Sequence, residues 1–395
     1  MKSAIMTRMH FNRPSILSVL AVLSILSPPP ADAQNANPKP HPKVDQKQVD
    51  DAVDRAGTFL LDRLKAGKLS TWLWGDKTSV GTYADEFVLY TLIYAGVPKN
   101  SPDFQKALTR VLNRDHAAVY QTAVTAMLLA EIDRAKYQTQ IALCAQFLVD
   151  AQCENGQWDY AGEKLDTPEY SPDVAAGKPE EAATGTPGTK PVPRKTTALK
   201  SVPIKRQKKG PAAGNNSTTQ LALLGLRSCM SASVKVPADV FARSEAWWRK
   251  NQNNDGGWGY GDKGAGGSSY GSMTAGALGS LAICDYYLGR DAKTDRDIQK
   301  GAKWFEEADH WGFDKNPRHG MYHYYWFYAL ERAGVLIGAD LFSGHDWYKE
   351  GADWLLAKQE KDGRWNNPDW VEDTCYAVLF LRRATKPLTK VYSGQ

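Results

Sequence analysis

Cysteine is scarce: the 395-residue chain holds five, Cys144, Cys153, Cys229, Cys284 and Cys375. An odd, widely spaced set excludes a disulfide scaffold and leaves Cys144 with Cys153 as the only near pair. Membrane-length apolar runs are missing too. The run SILSVLAVLSILS at 15–27 has 13 residues, too few to span a bilayer comfortably. No H-E-x-x-H, G-x-S-x-G or phosphate-binding glycine loop occurs, and the Gly-rich GDKGAGGSSYGS at 261–272 lacks the Lys-Ser/Thr ending of a P-loop. Metalloprotease, serine-hydrolase and P-loop chemistries therefore have no sequence support.

What is present begins with Lys2, Arg8 and Arg13, then that short apolar run, then an A-x-A site ending at Ala33. This order reads as a signal peptide over 1–33. It predicts a secreted or periplasmic chain that starts near Gln34, with a linker over 34–47.

AQCENGQW, NQNNDGGW and KQEKDGRW share the spacing Q-x3-G-x-W, at Gln152, Gly156 and Trp158, at Gln252, Gly256 and Trp258, and at Gln359, Gly363 and Trp365. Such a recurrence marks an internal repeat. Five residues before each Gln stands an aromatic, Phe147, Trp247 or Trp354, and related helices are recognisable around Trp304 and Phe59. After each turn comes a more apolar stretch, such as STTQLALLGLRSC or DTCYAVLFLRRA, with small or apolar residues on nearly every face. The first helix of a pair carries a charged outer face and the second reads as buried. Six outer and inner pairs result, spaced by about 50 residues. They predict an all-α domain over 48–385. Between the two helices of the third pair lies a Pro-, Gly-, Thr- and Lys-rich excursion, expected to be a disordered insertion over 162–214. Its stretch 190–209 has eight Lys or Arg and no acid, which suits a solvated linker or a contact with anionic polymer or a membrane surface. Residues 386–395 read as a tail.

These turns and pairs resemble the QW repeats of the squalene cyclase and protein prenyltransferase superfamily, whose fold is an α/α toroid. Six pairs would close a single-domain (α/α)6 barrel. The C-terminal stretch also looks like secreted bacterial prenyltransferase/squalene-oxidase-repeat proteins. The resemblance implies an aromatic central pocket for an isoprenoid or other apolar ligand; no specific nucleic-acid binding is expected.

In such a barrel the starts of the inner helices meet at one mouth, which places Tyr83, Asp85, Tyr120, Tyr322, Tyr324 and Tyr376 as candidate ligand contacts. WVEDTC lies over the cyclases' D-x-D-D-T-A segment, so Glu372 would be the acid and Asp373 its support, although Trp370 replaces the first Asp. Asp373-Thr374-Cys375-Tyr376 also matches the prenyltransferase D-x-C-Y zinc segment. That match implies Zn on Asp373 and Cys375, with His323 standing in for the missing later His. The plain structural reading makes Asp373 a cap or first-turn acid and Cys375 a small packing residue. Three functions follow: cyclase-like isomerisation, a polysaccharide-active (α/α) barrel acting on glycan, or a non-catalytic scaffold for a protein or cell-envelope polymer.

Overall fold

The computed structural model describes residues 41–67, 69, 84–169, 199–264, 267–366 and 370–388. Among these residues the chain forms twelve α-helices: α1 (Gln46–Lys65), α2 (Ala84–Tyr94), α3 (Pro102–Leu112), α4 (Val119–Asp133), α5 (Gln138–Asp150), α6 (Asn216–Ser231), α7 (Ala238–Lys250), α8 (Gly271–Tyr287), α9 (Arg296–Lys303), α10 (His323–Ile337), α11 (Trp347–Lys358) and α12 (Val371–Leu381). The even-numbered helices pack in the closed order α2, α4, α6, α8, α10, α12 and back to α2, and the odd-numbered ones lie outside them. The fold is the all-α toroid expected from the six pairs.

Side-chain pattern explains the two layers. In α1 the buried residues Val49, Ala52, Val53, Ala56, Leu60 and Leu64 form one stripe, and Asp45 caps its start through Lys47 N and Gln48 N. In α8 every residue from Gly271 to Asp285 is buried, which only small and apolar side chains permit between flanking inner helices and an outer one.

The Q-x3-G-x-W turns join the layers by one repeated set of bonds. Each Gln Nε2 donates to its own motif Gly carbonyl, at 3.2, 2.7 and 2.9 Å for Gln152, Gln252 and Gln359. It also donates to a carbonyl of the next outer helix, Val240 (2.8 Å), Asp297 (2.9 Å) or Ala52 (2.7 Å). The indoles of Trp158, Trp258 and Trp365 donate to the carbonyls of Leu148, Trp248 and Leu355. Their backbone N–H groups donate to Thr219, Thr274 and Thr374 Oγ1, each at 3.1 Å. The three glycines have φ of +96°, +97° and +91°, open to glycine at little cost.

Three sequence expectations are corrected. The fifth outer helix stops at Lys303 and continues as 3-10 turns at Trp304–Glu306 and Ala308–His310; this repeat has no Gln to tie the helix end to its neighbour. The ends of the presumed disordered insertion are ordered and packed. Strand Ala161–Leu165 pairs antiparallel with His116–Ala118, and Val202–Pro203 pairs parallel with Val234–Lys235. Residues 200–214 then run along α5, where Gln146 Nε2 holds Lys205 O at 2.9 Å and Asp150 Oδ1 accepts Gln207 N at 2.6 Å. Lys208 and Lys209 pair with Glu163 and Glu154, so this part of the basic stretch is engaged by the protein itself; 170–198 lie outside the described residues. The start of the tail is anchored as well. Thr385 bonds Glu331, Lys386 pairs with Glu131 at 2.7 Å, and Arg227 reaches the Lys386 carbonyl. Because α4 and α6 lie across the ring from α12, this segment crosses the far end of the bore.

All five cysteines are free and buried. Among the described residues no helix is long and apolar enough to cross a membrane.

Candidate ligand-binding mouth of the barrel

Each post-tryptophan segment covers the start of the preceding inner helix. Tyr160 O accepts Val119 N, Tyr260 O accepts Asn216 N, and Pro317 O accepts Gly271 N, all at 2.9 Å. These bonds satisfy helix-start N–H groups and bring the side chains of Tyr160 and Tyr260 over the mouth.

There the phenols meet. Tyr120 and Tyr160 stack at 6.1 Å, Tyr160 and Tyr260 join hydroxyls, Tyr270 stacks on His319 at 4.5 Å, and His319 stacks on Tyr322 at 5.6 Å. Inside the ring Tyr376 contacts Phe87 (5.1 Å), Tyr325 (5.6 Å) and Tyr328 (5.5 Å). Burial pushes the phenols of Tyr120, Tyr160, Tyr260 and Tyr270 up, so they stay neutral donors. Tyr322 takes a left-handed conformation with φ 60° as α10 begins, a strained geometry for a residue with a side chain. The exposed apolar groups Tyr260, Met321 and Trp370 belong to segments at this end.

The sequence candidates divide. Tyr120 (5% exposed) and Tyr376 (2%) are inside the aromatic cluster, and Tyr322 is on its rim. Tyr324 instead packs outward on Trp354 and Phe327. Tyr83 lies outside the described residues. Asp85 is clamped by Arg110 (2.7 Å) and Arg114 (3.1 Å). It lines a polar cavity of about 330 Å³ with Lys65, Asp103, Lys106 and Arg110, outside the ring between α1, α2 and α3. Beside it the buried Glu86 binds Arg114 at 2.6 Å and Gln121 at 3.2 Å. Burial pushes Glu86 up to about 6.

Glu372 and Asp373 are buried in the first turn of α12. Trp370 holds the cap position, and Asp373 accepts Asn366 Nδ2 at 2.6 Å; it is thus a first-turn acid, complementing the helix dipole, and not the cap. Two of the three zinc candidates have other surroundings as placed. His323 Nε2 is bonded to Phe313 O at 2.7 Å, and the Cys375 thiol is fully buried, which pushes it up. Among the described residues no three His, Cys, Asp or Glu side chains are grouped to hold an ion.

Sequence reasoning passed over Tyr160, Tyr260 and Tyr270 as site residues. A signal existed for two of them: GQWDY and GGWGY place a tyrosine two residues after the motif tryptophan.

Fold and site together define an α/α toroid with an aromatic, hydroxyl-bearing mouth. A solved structure of the same architecture is "Candida albicans protein geranylgeranyltransferase-I complexed with GGPP", with a TM-score of 0.51, 13% identity, and coverage of 82% of this chain and 90% of that one. No protein-family model matches the chain, and no curated protein matches it.

Proposed function

We propose that the protein is an exported toroid that binds an isoprenoid or similar apolar chain at the mouth of its barrel. One observation carries this reading: rings from separate repeats, Tyr120, Tyr160, Tyr260, Tyr322, Tyr325 and Tyr376, converge at one end of the bore. Aromatic faces offer apolar area at low entropic cost. The shared fold of a geranylgeranyltransferase complexed with GGPP supports the same ligand class. If the bound chain is turned over, Glu372 is the acid and Asp373, held by Asn366, its support, in a cyclase-like isomerisation.

The test is titration of the mature protein with farnesol, followed by tryptophan fluorescence. Binding should weaken at least tenfold in Tyr325→Ala and in Tyr160→Ala, with folding checked by circular dichroism. Equal affinity in both variants would sink the mouth as the site. Glu372→Gln should keep binding and remove any isomerised product, because the amide has no acidic proton. Amino-terminal sequencing of exported protein should begin at Gln34.

A second reading, binding of glycan, draws on the joined hydroxyls of Tyr160 and the exposed Tyr260, which suit a sugar ring better than a bare hydrocarbon. Saturation by an oligosaccharide with no response to farnesol would select it.

A further inference from the structure

Arg332 stands inside the bore. Its Nη2 donates to Gln220 Oε1 at 2.9 Å, although α10 and α6 are separated in the ring by α8. The two side chains meet in front of α8 because Gly276 has no side chain; a Cβ there would lie 1.9 Å from Gln220 Cδ. The guanidinium sits over the Tyr328 ring at 3.9 Å and 5.7 Å from that of Tyr325. It is 2% exposed, and its Nη1 makes no hydrogen bond.

No carboxylate among the described residues lies within ion-pair distance of it; Glu331 acts on it only at longer range, and the Tyr328 hydroxyl is a neutral partner. The adjacent Glu331 turns both oxygens to Thr385, at 2.9 and 2.7 Å. Burial pushes Glu331 up to about 7, against the Thr385 bonds and the Arg332 charge that favour its ionised form. A buried guanidinium without an ion pair is costly, and the ring faces of tyrosines offset that in part. Water could satisfy one N–H but brings no charge.

A hydrogen-bonded track leads from the mouth to this point. Tyr120 Oη bonds Ser217 Oγ at 2.5 Å, Ser217 Oγ bonds Tyr325 Oη at 3.2 Å, and Tyr325 Oη donates to Gln220 Oε1 at 3.3 Å, the atom that holds Arg332. Tyr325 and Arg332 are two turns apart on α10, and their side chains meet at that one Gln220 oxygen. The far end is crossed by the Thr385–Lys386 segment, so a ligand enters from the mouth.

We infer that Arg332 is the anchor of an anion-binding site at the base of the bore, which takes the carboxylate head of an amphipathic ligand while its apolar chain runs back to the aromatic mouth. The inference rests on the apolar-chain reading for the chain but not for the head. The probes are farnesoic acid, farnesol and acetate alone. Wild-type protein should bind the acid at least tenfold more tightly than the alcohol at neutral pH, and acetate should raise its melting temperature. Arg332→Met, which keeps the bulk and removes the charge, should equalise acid and alcohol and abolish the acetate effect.

Equal wild-type affinity for acid and alcohol would overturn the anchor and leave the apolar-chain reading standing. No binding of either, with acetate still stabilising wild type alone, would keep the anchor and sink that reading. An acetate effect that survives in Arg332→Met would place the anion elsewhere and overturn the inference. The wild-type comparison decides even where Arg332→Met fails to fold.

Discussion

Gln359 of the last repeat donates its amide to the carbonyl of Ala52 in the first helix at 2.7 Å. Arg55, one turn on, donates back to Gln359 Oε1 at 3.1 Å. The bond that elsewhere joins one repeat to the next here joins the end of the chain to its beginning.

Gly363 sits in that closing turn with φ +91°, and a Cβ on it would lie 2.4 Å from Arg55 O. Gly363→Ala should lose about 3 kcal/mol, from left-handed strain plus a backbone clash. Gly289, also at positive φ (+74°) but with nothing within 4 Å of a Cβ, is the control and should lose only about 1 kcal/mol. Urea unfolding of the two variants measures the difference.

Trp258 is fully buried, bonded to Trp248 O and packed on Gly301. Trp258→Ala should cost about 3 to 5 kcal/mol by cavity formation and loss of the indole bond. A thermal melt unchanged from wild type would show that the turn tryptophans carry no stability.

His116 is buried, with its ring nitrogens facing Thr122 and Cys144, and burial pushes it down to about 4. The unfolded chain therefore binds a proton near pH 6.5 that the folded chain refuses. Stability should fall as pH drops from about 6.5 to 4, by about 3 kcal/mol from this group once the fall is complete. His116→Gln should flatten that part of the curve in chemical denaturation across pH.

Arg206 donates to Val149 O and, at 2.7 Å, to Gln152 Oε1, pinning the 200–214 segment to the Gln152 turn. Arg206→Met should cost about 1 to 2 kcal/mol. Lys208→Ala and Lys209→Ala, which break surface pairs, should each stay within about 0.5 kcal/mol. Parallel melts of the three separate an internal clasp from a merely basic stretch.

The toroid was legible because Q-x3-G-x-W repeats, and each of its residues makes a local bond that every copy needs. The inner helices were legible because burial on all sides leaves no polar face. The 200–214 segment was opaque: it is held through backbone groups, one arginine and two lysine pairs, which leave no periodic pattern. The arginine partners of Asp85 were hidden for a related reason. Arg110 and Arg114 are on α3 and just beyond it, and a carboxylate at a helix start looks alike whether it faces ligand or guanidinium. Glu372 was picked out by motif, whereas Arg332 was not, because YALERAG reads as an ordinary helix end until the ring brings Gln220 across to it.

Closure through Gln359 and Ala52 also fixes how this architecture can grow. An open stack of repeats gains or loses a unit at its end and needs only a polar cap there. A closed belt has no end, and one more helix pair would change the angle at every joint at once. Extra sequence is thereby diverted sideways, between the two halves of a pair, where the 161–214 excursion leaves and rejoins the wall without changing the number of staves.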